Sequence, residues 1–136
     1  MYDWLLFLHV LTAFALVVTV VVFSAFALGT AIDSSVLMVG RVTWAVGALG
    51  TLVFGIWLAI YVDGYEIWDG WIIAATVLWM IATEMGRRAE LGFIAASRGG
   101  EAVTATAVPR QAVLMHWLRA AFVLALLVVM IYKPGA

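Results

Sequence analysis

Four long apolar stretches constrain this chain more than anything else in it. The helices built on them are expected over about 4–28, 39–62, 70–97 and 109–132, the third leaving the bilayer by about Arg88. A helix rises about 1.5 Å per residue, so an apolar run of about 20 residues can cross the roughly 30 Å of a bilayer's hydrocarbon. Of the 136 residues 67% are hydrophobic and 11% charged, against roughly half apolar in a soluble domain. A soluble fold of this size would leave too much of that surface in water. The expectation is an all-α protein, a single transmembrane domain over 1–136, built as a four-helix up-down bundle in the membrane.

The breaks between the runs are made of turn formers. GTAIDSS (29–35) ends the first run, and Asp63-Gly64 opens the loop DGYEIWDG (63–70). Asp69 is placed as an N-cap for the third helix and Pro109 suits the first turn of the fourth. GGEAVTATAV (99–108) reads as a small-residue loop, and 87–98 as a basic extension of helix 3 along the inner membrane surface. The N-terminus MYDWLLFL lacks a basic leader, and its apolar run is too long for a cleaved signal, so it reads as a retained first helix. Gly47, Thr51 and Gly55 form a small-residue ladder on helix 2, suited either to internal packing or to a homodimer seam.

Charge gives an orientation. Arg41, Arg87, Arg88, Arg98, Arg110 and Arg119 lie on or near the face that joins helices 1–2 and 3–4. The opposite face holds Asp3, Asp63, Glu66, Asp69 and one basic residue, Lys133. The positive-inside rule then predicts arginine-rich loops in the cytoplasm and both termini outside, N-out/C-out, in the cell inner (plasma) membrane. Trp4, Trp57, Trp68, Trp71, Tyr61, Tyr65 and Tyr132 would form the outer aromatic belt.

Several chemistries have no residues to carry them. There is no cysteine, so there is no disulfide, thiolate ligand or cysteine nucleophile. No serine–histidine–acid set, phosphate loop, zinc spacing or nucleic-acid signature is present, and the loop acids lack calcium-loop spacing. The expectation leans away from an enzyme.

The two histidines, His9 and His116, stand in similar apolar runs. His9 lies about one turn from the outer face and His116 about two turns from the inner one, roughly 8–10 Å from each end. That leaves them about 10–15 Å apart in depth, too far to share one iron. His9 alone, with Met130 as a second ligand, could hold haem b. No cofactor is expected otherwise.

Two charges fall too deep for the interface. Fourteen residues separate Asp69 from Glu84 and thirteen separate Arg119 from Lys133, about 20 Å each by helical rise. Glu84 and Arg119 are therefore expected to pair within the inner leaflet, in a polar cluster with His116, Arg88 and Arg41. Such a cluster is either an ion pair that locks helices or a pocket for a small solute or ion.

GIWLAIYVDGYEIWDGWIIAATVLWMIA (55–82) and the ending LALLVVMIYKPGA (124–136) resemble the DUF2269 family of predicted integral membrane proteins, as does LLFLHVLTAF in helix 1. That resemblance implies a four-helix membrane fold and no defined activity. Helix 1 is also similar, more loosely, to CopD-type and HemJ-type membrane proteins. In the HemJ type a helix-1 histidine is a haem ligand, a role open here only to His9. The leading functional expectation is a non-enzymatic structural or accessory membrane component. Its partners would be the lipid bilayer and a homodimer or larger membrane complex, with no nucleic acid. The alternatives are a haem-binding redox protein using His9 and a small-solute or ion carrier using the inner-leaflet cluster.

Overall fold

The computed structural model describes residues 1–97 and 107–133. The chain is all-helical over these residues: α1 (Tyr2–Ala27), α2 (Ser34–Tyr61), α3 (Gly70–Ser97) and α4 (Arg110–Tyr132). Arg98, most of the loop expected over 99–108, and the Pro-Gly-Ala ending lie outside the described residues. Three helices, α1, α2 and α4, are long and apolar enough to cross a membrane. The fourth, α3, is not in that set: its second half carries Glu84, Arg87, Arg88 and Glu90.

Helix ends follow local chemistry. α2 starts five residues before the expected position because Asp33 caps it. The Asp33 carboxylate accepts from the Ser35 hydroxyl at 2.9 Å and from the Ser34 amide at 2.7 Å. Those bonds hold its pKa below the usual carboxylate range, the Ser35 hydroxyl contributing most. Asp69 does not cap α3 with its side chain as expected. Its Oδ2 accepts instead from the Glu66 amide at 3.1 Å, closing the preceding turn, while its carbonyl takes the first amides of α3. Lys133 ends α4 in the left-handed region, at φ 41°.

α1 packs most heavily on α2 and α3 on α4, while the α1–α4 and α2–α3 seams are lighter. The α2 glycines set the first pair. Gly55 faces His9, Gly47 faces Thr12 and Leu16, and Gly40 faces the Phe23 ring. Partner numbers fall as α2 numbers rise, so the two helices run antiparallel. Gly86 against Arg119 and Gly92 against Ala112 show the same for α3 and α4. Gly47 and Gly55 of the small-residue ladder thus pack against α1 within the chain.

The end where α1 joins α2 holds a cluster of buried rings and aliphatic side chains. Phe23, Phe26, Ile32, Leu37, Ala89 and Phe93 form one buried cluster there. Phe23 and Phe93 stack at 5.4 Å, and Phe26 meets Phe93 edge-on at 5.2 Å, both favourable ring geometries. A second cluster of Leu16, Trp44, Ala48, Ala82 and Val123 continues toward the middle. The outside is apolar as well: Val10, Phe14 and Val21 on α1, Val46 and Leu49 on α2, and Leu124 and Val128 on α4 are all exposed. An apolar patch this extensive on a soluble monomer would be an association surface; here it wraps the three spanning-length helices.

A Cβ at position 47 would lie 3.0 Å from the Thr12 carbonyl oxygen and 3.1 Å from the Leu16 nitrogen, backbone atoms that can move only with α1 itself. Gly47→Val is therefore expected to lower stability by about 1–3 kcal/mol, the usual cost of overpacking. Thermal unfolding in mild detergent, followed by circular dichroism, would measure it. An unchanged midpoint would mean that the α1–α2 seam is looser than this.

Candidate functional site

Arg119 is the focus of one polar cluster. Its side chain has no exposed surface, and all four helices reach it. From α4 itself, His116 Nδ1 lies 2.8 Å from Arg119 Nη2. From α1, the Phe23 ring lies 5.0 Å from the guanidinium carbon, and from α2 the Trp44 ring lies 4.6 Å from it. From α3, Glu90 Oε1 lies 3.6 Å from Nη1. Gly86 leaves room for the stem: a Cβ there would come within 2.9 Å of Arg119 Cδ and 3.1 Å of the Trp44 ring.

The hydrogen bonds fix the histidine's tautomer. Arginine has donors and no acceptor, so Nδ1 of His116 must accept. In the neutral ring the proton then sits on Nε2, which donates to Ser24 Oγ at 2.9 Å. His116 thereby links α4 to α1 while it orients Arg119. The Glu90 contact, at 3.6 Å, is longer than a hydrogen bond and acts through charge. The other oxygen of Glu90 lies 3.5 Å from Nε of Arg41, half-exposed on α2. The two faces of Glu90 thus join a buried and a surface arginine.

This corrects the expected pairing. Arg119's carboxylate partner is Glu90, not Glu84. Glu84 lies on the surface, bound to Arg87 at 2.8 Å and to Arg88 at 2.7 Å, so Arg88 also leaves the cluster. Depth was close to right, since Gly86, opposite Arg119, is only two residues from Glu84. The direction around the helix decides. At about 100° per residue, Glu84 points about 200° away from Gly86, whereas Glu90 lies about 40° from it. The signal was present in the spacing of Ala82, Gly86, Ala89 and Phe93, the small-residue face of α3 on which Glu90 borders. His116 and Arg41 take places in the cluster; Ser24, Phe23, Trp44 and Gly86 complete it.

At the other end the helices part around a cavity of about 490 Å³, within the range of small-molecule sites. α1, α2 and α4 form most of its wall, and Tyr65 and Trp71 close one side. His9, Met130 and Lys133 all line it. Lys133 Nζ donates to the Tyr65 hydroxyl at 2.7 Å and lies 4.7 Å and 5.4 Å from the Tyr65 and Trp71 rings. Three buried polar atoms in this wall have no hydrogen-bond partner among the described residues: His9 Nδ1, Thr51 Oγ1 and Trp71 Nε1. A narrower cavity of about 50 Å³ shares Thr51, Trp71 and Met130 and extends toward α3. Neither cavity is lined by Glu84, His116 or Arg119. The two histidines therefore serve different places. Thr51 and Trp71 carry no sequence signal for this role, because their polar atoms become conspicuous only once the helices surround them.

No protein-family model, curated protein or solved structure matches this chain.

The cluster separates the two glutamates experimentally. Glu90→Gln leaves Arg119 buried without its counter-charge, and the loss of one partner of a buried pair costs about 3–5 kcal/mol. Glu84→Gln removes a surface contact and is expected to leave the unfolding midpoint in place. Thermal melts of both variants in the same detergent decide the matter; equal destabilisation, or a larger loss at Glu84, would contradict the assignment.

Proposed function

We propose that the chain is an integral membrane protein of four transmembrane helices, up-down-up-down, with both termini outside and the arginine-rich end in the cytoplasm. Its role is that of a non-enzymatic structural or accessory membrane component, in keeping with its DUF2269-like stretches. The observation that carries this reading is the use made of the deepest charge. Arg119 is enclosed by all four helices rather than set in the wall of a cavity. An ionisable group in a membrane usually marks either a pathway or an internal pair, and here it ties helices together. α3, the least apolar helix, fits the same scheme. Its Glu90 answers Arg119, and its Glu84, Arg87 and Arg88 answer one another on the outer surface midway along the helix. The bilayer is the first partner, and association into a larger membrane complex would use an exposed apolar face.

A second reading, haem b held by His9 with Met130, has in its favour that both residues line one cavity. The lining supplies a single cation, Lys133, for the two carboxylates of a haem, and that cation already donates to Tyr65. The fit is poor. Its signature would be a Soret band in protein purified from haem-replete cells, abolished by His9→Ala. The leading reading predicts a featureless visible spectrum.

The orientation is open to a direct test, since the chain has no cysteine of its own. Single cysteines at Ser35 and at Asp63 would be labelled in intact cells with a membrane-impermeant maleimide. Labelling at 63 and protection at 35 until lysis is the expected result. The reverse pattern would invert the topology, and equal labelling of both would remove the membrane reading.

A further inference from the structure

The wall of the larger cavity carries polar hydrogens with nowhere to go. Trp71 is 6% and Thr51 5% exposed, and neither Trp71 Nε1 nor Thr51 Oγ1 has a partner among the described residues. Buried donors are normally satisfied, and an orphan costs about 1–3 kcal/mol. Trp79 of this same chain shows the usual outcome, its Nε1 donating to the Ala48 carbonyl at 3.0 Å. Tryptophan is a donor only, the threonine hydroxyl can donate, and His9 Nδ1 can do so in one tautomer. An occupant that satisfies all three as donors must present acceptors, and it needs no hydrogen of its own to give.

The rest of the lining is apolar and continues to the outside of the bundle. On α1, Leu6, Val10 and Phe14 line the cavity and are also exposed; on α4, Ile131 is both. These residues flank the α1–α4 seam, one of the lighter contacts of the fold. If the chain spans a membrane, as proposed above, this seam faces acyl chains, and a ligand would enter sideways from the lipid. Depth also matters. Thr51 lies ten residues inside the end of α2 at Tyr61, about 15 Å by helical rise. A fatty acid anchored by its carboxylate at Lys133 would lay its tail against Thr51 and leave that donor unsatisfied.

We propose that this cavity binds the ring of a lipid-soluble isoprenoid quinone. The two ring carbonyl oxygens accept from Thr51 Oγ1–H and Trp71 Nε1–H, with His9 Nδ1 beside them, and the isoprenoid chain leaves through the α1–α4 seam into the bilayer. A quinone ring is flat, apolar on its faces and acceptor-only at its carbonyls, which is the complement of this lining. The proposal concerns binding alone.

The test uses the full chain in lipid nanodiscs, titrated with a 1,4-naphthoquinone bearing four isoprene units. Bound quinone per protein is read by chromatography after affinity capture, with empty discs as baseline. Saturable binding near one per chain is expected. Thr51→Val and Trp71→Phe should each weaken it by tenfold or more, and the dimethyl ether of the corresponding hydroquinone, which lacks carbonyls, should bind as weakly. If either wall variant fails to fold, Val10→Trp decides: it blocks the seam from the lipid side at an exposed position and should abolish uptake. Protein that inserts into discs but shows no saturable binding overturns this proposal and leaves the membrane reading standing; failure to insert removes both. Undiminished binding in the variants, or displacement by haemin or palmitate at lower concentrations than by the quinone, also overturns it.

Discussion

A guanidinium with no exposed surface has to be answered from every side, and the bundle is organised by the way Arg119 is answered. Its charge meets Glu90 of α3, its flat faces meet the Phe23 and Trp44 rings of α1 and α2, and one of its donors meets His116 on its own helix. Arginine suits this position because its charge is permanent and delocalised over a plane that aromatic rings can cover. A lysine would place a compact, strongly hydrated charge in the same space and lose the stacking. Removing Arg119 would also remove the reason for Gly86 to be glycine, for His116 to hold its tautomer and for Glu90 to face inward. These residues are one device distributed over four helices.

The two ends of the bundle differ in consequence. Near Arg119 the phenylalanines stack and the small residues of α3 let α4 come close, so little space is left. Toward Lys133 the helices enclose a cavity in whose wall Thr51 Oγ1 and Trp71 Nε1 have no partner among the described residues. Buried polar groups are tolerated where they are satisfied, as His116 is by Ser24 and Arg119. Among the described residues Thr51 Oγ1 and Trp71 Nε1 have no partner, and neither do Arg119 Nε and Nη1 or Glu90 Oε1, but Thr51 and Trp71 line a cavity while Arg119 and Glu90 meet through charge. One end is filled by buried rings and small residues, and the other encloses a cavity.

Much of this was legible in the sequence, and the boundary between what was and what was not is physical. The span of α4 follows from apolar run length and Pro109, and that of α3 from the turn formers before Gly70 and the basic extension after Arg87, which is why both agree closely with the expected ones. α2 starts early because a cap residue inside an apparent break, Asp33, can nucleate the next helix. The need to neutralise Arg119 could be read from residue counts, since counts give depth. The partner could not be read that way, because choosing Glu90 over Glu84 depends on rotation about the helix axis. The face of α3 was marked by Ala82, Gly86, Ala89 and Phe93, and reading that face first would have selected Glu90. The cavity had no local signature at all. It arises from how three helices diverge, and Thr51 was legible only as a member of a packing ladder.

The most direct test of the tie at Arg119 is a double-mutant cycle on Arg119→Met and Glu90→Gln, read as unfolding free energy in detergent, with Arg119→Met and Glu84→Gln as the parallel cycle. Contacting residues in one network couple by about 0.5–3 kcal/mol, while independent sites add to within about 0.5 kcal/mol. The Glu90 cycle is expected to be strongly non-additive, the double variant losing less than the two single losses combined, and the Glu84 cycle additive. Additivity at Glu90, or coupling to Glu84 in its place, would contradict that tie.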